Sequence, residues 1–86
     1  MIVKEEILNP LLREIDLMYI NGSISVSDAD DLTSTVTWII GKSLNESNVS
    51  HVVNQLRGFK NFINETSVAI VIKNFKKICG EYMNGN

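Results

Sequence analysis

The apolar residues of this chain recur with a helical period, which predicts an all-α fold: a small bundle of four helices with short connections, or five if the first restarts at its proline. Three observations carry that expectation. Three segments each hold a one-sided stripe of six or seven apolar residues. Between the stripes stand Asn-Gly, Ser and Asn residues of the kinds that stop and start helices. Hydrophobic residues at 44% against charged residues at 21% describe a chain that folds rather than one that stays disordered. The 86 residues make one helical domain, 1–86, undivided by repeat, low-complexity tract or linker.

In the first segment Ile7, Leu8, Leu11, Leu12, Ile15, Met18 and Tyr19 fall on one side, opposite Lys4, Glu5, Arg13, Glu14 and Asp16. Pro10 removes a backbone donor, so this helix either kinks there or restarts with Asn9 as cap. Asn21-Gly22 suits the left-handed stop. The second segment opens at Ser25 or Ser27 as N-cap, with Asp28, Asp30 and Asp31 set against the positive end of the helix dipole. Its stripe is Ala29, Leu32, Val36, Ile39 and Ile40. The β-branched run 33–40 would also suit a strand, and the periodicity decides for helix.

Asn45 or Ser47 caps the third helix, whose inner face is Val49, Val52, Val53, Leu56, Phe59 and Ile63, weakened near its end by Gly58. Asn64 or Thr66 starts the fourth. Val68, Val71, Ile72, Phe75, Ile78, Cys79 and Tyr82 form its stripe, opposed by Lys73, Asn74, Lys76 and Lys77, and its last turn meets Gly80 before fraying into a polar tail at 84–86. Cys79 lies on the apolar side and is expected to be buried.

Composition narrows function mainly by exclusion. A net charge of −2 and a pI near 5.2 fit neither a basic nucleic-acid coat nor a heavily acidic DNA mimic. One cysteine closes no intrachain disulfide, and Lys4 followed by Glu5 and Glu6 is not a secretory start, so a reducing cytoplasmic setting is expected. The longest apolar run, residues 68–72, is far too short to cross a bilayer, so no membrane partner is expected. The N-glycosylation patterns at Asn21, Asn45, Asn48 and Asn64 are better explained as helix caps.

A metal site needs convergent ligands, whereas His51 and Cys79 are each the sole residue of their kind. The aspartates at 28, 30 and 31 lack the glycine and closing glutamate of a calcium loop, and the glycines are scattered singly rather than gathered in a phosphate loop. Ser50 beside His51 does not make a nucleophile and base, because helix neighbours point about 100° apart. No catalytic residue, cofactor, metal or small-molecule substrate is therefore expected.

Residues 40–57 carry the one recognisable pattern. Ser47, Val49, Ser50, Val53 and Asn54 resemble the turn and recognition helix of helix-turn-helix regulators, notably repressors of the Lac type and MarR-like proteins, with Ile39 and Ser43 standing where that pattern has a small residue and a glycine. The resemblance implies a helix whose first turn enters the major groove. Glu46, Ser47, Asn48, Ser50, His51 and Asn54 would then face the bases, with Gln55, Arg57 and Lys60 near the backbone.

Charge divides along the chain. Residues 1–46 hold three basic and eight acidic side chains, and residues 47–86 hold five basic and two acidic. Such asymmetry suits a basic face on phosphate, or attraction between the two halves in the fold or in a dimer. Ile70 lies off the inner stripe of the fourth helix with Asn74 and Lys77, and Lys73 adjoins them, so Ile70, Lys73, Asn74 and Lys77 are the candidate protein interface. The expected function is a small non-catalytic regulatory protein, an adaptor or inhibitor presenting a helical surface to another protein or to a second copy of itself. The alternative is a small dimeric helix-turn-helix regulator of transcription that binds DNA.

Overall fold

Helix α1, Lys4–Ile20, passes unbroken through Pro10 in the computed structural model, which describes residues 3–45 and 47–84. The restart at Pro10 does not occur. Ile7, Leu11, Ile15 and Met18 are buried along one line on both sides of the proline, so packing holds the register across the missing hydrogen bond. The helix ends as Asn21-Gly22 predicts. Gly22 has φ +76°, its N–H donates to Tyr19 O at 3.0 Å, and Ser23 N–H donates to Met18 O at 2.8 Å, the paired bonds of a glycine stop.

Helix α2, Val26–Ser43, includes the whole β-branched run. Leu32, Val36, Ile39 and Ile40 are buried at helical spacing, whereas a strand would put Ile39 on the face opposite the other three. Ser25 rather than Ser27 is the cap, its Oγ accepting the Asp28 N–H at 3.0 Å. Of the three aspartates only Asp28 lies in the first turn, and Asp30 and Asp31 are exposed beyond it.

Helix α3, Val49–Arg57, starts at Asn48, not at Asn45 or Ser47. Those two side chains build the preceding turn instead. Asn45 Oδ1 accepts from Ser47 N–H at 2.9 Å and Ser47 Oγ at 2.8 Å, while Asn48 Oδ1 accepts the Asn45 N–H at 2.8 Å and its Nδ2 donates to Ser43 O. A 3₁₀ turn, Gly58–Asn61, continues α3, and Asn64 Oδ1 then accepts the Ser67 N–H at 3.2 Å at the start of α4, Glu65–Asn84. Asn64 is thus the cap in preference to Thr66, and α4 runs on through Gly80. Positions 85 and 86 of the expected polar tail, like Glu46, lie outside the described residues.

The described residues contain no strand, and α1 lies between α2 and α4 with α3 packed across α4 and α2. One hydrophobic core joins all four helices around Phe75, the largest fully buried side chain. Lys4 Nζ donates to Gly41 O at 2.7 Å, placing a cation at the C-terminal end of α2, and Val3 N–H donates to Tyr82 Oη at 3.1 Å. No helix among the described residues is long and apolar enough to cross a membrane.

Asn48 holds both ends of the α2–α3 turn, so Asn48→Ala is expected to cost roughly 1–3 kcal/mol, two hydrogen bonds at 0.5–1.5 kcal/mol each. Urea denaturation followed by circular dichroism checks this, and a change below about 0.5 kcal/mol would show that the turn is held by its backbone alone.

Candidate functional site

The most built feature of the surface is a groove along the line where α3 and its 3₁₀ turn meet α4. Two cavities, about 580 Å³ and 430 Å³, share Arg57 and Lys76 as lining residues and so lie end to end on either side of that pair. Its apolar floor is made by Val53, Val68, Ile72 and Cys79, all buried, with Ala69 and Met83 more exposed along it. Arg57 and Lys60 stand on the α3 side, Lys73 and Lys76 on the α4 side, and among the described residues Glu65 is the only carboxylate lining either cavity.

Four of the eight basic residues of an acidic chain therefore converge on one groove. Arg57 Nη1 donates to Asn54 Oδ1 at 3.3 Å. Lys60, Lys73 and Lys76 make no hydrogen bond or ion pair with another described residue. The four cations are positioned by helical spacing: 73 and 76 are one turn apart on α4, and 57 and 60 are three residues apart where α3 passes into its 3₁₀ turn.

The residues expected to read DNA are not brought to one face. Ser47, Ser50, Asn54 and Arg57 line the groove, and Lys60 lies at its far end. His51 is exposed and lines neither cavity. Asn48 is half-buried and committed to the turn, and Gln55 is half-buried with an Oε1 that is buried and has no hydrogen-bond partner among the described residues. The Asn48 side chain, expected to face the bases, is bonded to Asn45 and Ser43 of its own turn.

The expected protein interface is also divided. Ile70 is 36% exposed on the outer side of α4, Lys73 belongs to the α3–α4 groove, and Asn74 and Lys77 line a separate small cavity with Pro10 and Glu14 of α1. Sequence reading missed Ala69, Lys76 and Met83 as groove residues; the signal available was the Lys73–Lys76 pair flanking a stripe, which reads equally well as a solvated face.

Cys79 is 2% exposed in the groove floor, and burial pushes its thiol from 9.0 up to about 11. The thiolate population at neutral pH falls about a hundredfold with that shift, so native protein is expected to react with a maleimide or disulfide reagent at least that much more slowly than denatured protein. Fast stoichiometric labelling would place the thiol on the surface. The sign for stability follows from the raised value: there is no effect below pH 9, and stability falls as pH rises from 9 towards 11, because only the unfolded chain ionises there.

Among the described residues no group of three or more His, Cys, Asp or Glu side chains is placed to hold a metal ion. Neither a family model, nor a curated protein, nor a solved structure matches this chain.

Proposed function

We propose that this protein is a non-catalytic adaptor or inhibitor that receives part of a partner protein in the groove between α3 and α4. The observation that supports it is the juxtaposition of an apolar floor with four cations on the two walls. Apolar area gives such a site its affinity, and the charges give orientation and rate of encounter. A small helical domain offers few other concave surfaces of this size, and 300–1,000 Å³ is the usual range for a ligand-binding cleft.

The alternative, a DNA-binding regulator, draws on exposed Ser50, His51 and Asn54. Its weakness is the placement of charge. The first turn of α3 carries no acidic or basic residue, and the cations gather from Arg57 onward, away from the end that would enter a major groove.

A photo-crosslinking residue at Ala69, in the groove, and another at Asp16, on the exposed side of α1, test the proposal in cells. The expected result is a discrete protein adduct from position 69 and none from position 16. Adducts of equal yield from both positions, or an adduct with nucleic acid from position 69, would overturn it.

A further inference from the structure

We infer that the occupant of the α3–α4 groove is an acidic amphipathic helix of another protein, with one apolar stripe bordered on both sides by carboxylates. This deepens the reading of the groove as a protein-binding site and rests on it. The charge pattern is the first argument. Arg57 and Lys60 on one wall face Lys73 and Lys76 on the other across an apolar floor, so a complementary segment must be acidic on both flanks and apolar between them. Spacing at i, i+3, i+4 and i+7 supplies that arrangement on a helix.

Size agrees with charge. The α4 side of the groove extends from Val68 to Met83, about 22 Å at 1.5 Å per residue, which matches a helix of roughly 15 residues. Gly80 opens that wall: a methyl group placed there would meet nothing within 4 Å. Glycine inside a helix is intrinsically unfavourable by about 1 kcal/mol relative to alanine, and nothing within this chain requires it at that position.

Nucleic acid fits the same groove less well. Among the described residues no aromatic side chain lines either cavity, so bases have no stacking platform, and Glu65 opposes a continuous phosphate chain at one end. The exposed aromatics Trp38 and Phe62 do not line this groove.

The test uses a fluorescent peptide of about 16 residues, with leucines on one helical stripe and glutamates on both flanks. A second peptide of the same composition has its leucines scattered around the helix, and a third carries lysine for every glutamate. Anisotropy titrations with the native protein should show binding of the first peptide at least tenfold tighter than the second. Lys73→Glu with Lys76→Glu, both at exposed positions, should keep the circular dichroism and melting temperature, weaken the first peptide at least tenfold, and improve binding of the lysine peptide.

Equal affinity for striped and scattered peptides would overturn the inference, as would a charge reversal without effect. Tighter binding of a single-stranded oligonucleotide, or self-association abolished by the same reversal, would also overturn it in favour of phosphate or a second copy. A position-69 protein adduct with no peptide binding would retain the groove and discard this class of occupant. Failure of both would discard the groove.

Discussion

Replacing Phe75 with alanine is expected to destabilise the protein by roughly 3–5 kcal/mol, the largest effect of any single truncation in the core. Phe75 has no exposed surface and lies mid-stripe on α4 with Val68, Val71, Ile72 and Cys79, on the helix that packs against both α1 and α3. Its removal deletes the aromatic transfer energy and leaves a cavity that helices pinned at both ends close only in part. A domain of this length has a total stability of about 4–13 kcal/mol, so the variant is expected to lose about a fifth of it or more and to melt well below the parent. Urea titration followed by far-ultraviolet circular dichroism gives the measurement. A loss below about 1 kcal/mol would mean that α4 does not present this stripe to the core.

Ile39→Ala is the second large effect, expected at roughly 2–5 kcal/mol. Ile39 is 1% exposed and belongs to the core stripe of α2, the helix that packs against α1 and α3. The experiment also bears on the helix-turn-helix resemblance, since that pattern places a small residue at this position so that two helices cross closely. In this structure the isoleucine side chain is buried in the core. If alanine were accepted with little loss, α2 and α3 would be able to approach as in the regulators, and the DNA reading would gain weight. If the cost falls in the expected range, the two helices are separated by a side chain that the fold requires.

The helices themselves were legible because burial in a bundle repeats every turn. Most of the core stripe of each helix could be marked from spacing alone, although Tyr19, assigned to the first stripe, is exposed at its end, and Gly22, with Ser25 and Asn64 each as one of two choices, could be marked as helix ends from residue type. At 33–40 the β-branched residues argued for a strand, and tertiary burial of Leu32, Val36, Ile39 and Ile40 outweighed a preference worth only tenths of a kcal/mol per residue. The start of α3 was less legible for a local reason. Asn45, Ser47 and Asn48 all have capping chemistry, and which one takes the position depends on how Asn48 reaches back to Ser43. The groove was not legible at all as a site. Arg57 and Lys60 become neighbours of Lys73 and Lys76 only because Val53 and Leu56 of α3 and the stripe of α4 enter the same core.

The single tryptophan, Trp38, sits on α2 with 59% of its surface exposed and with Lys42 Nζ 5.0 Å from its ring centre. A cation over an indole face at this distance is a favourable contact on a solvated helix. Its optical consequence is that the native indole is already in water, so emission shifts little when the core melts. Intrinsic fluorescence is thus nearly blind to unfolding of this protein and sensitive to whatever covers the outer face of α2, which makes Trp38 a built-in reporter of contacts on a surface outside the basic groove.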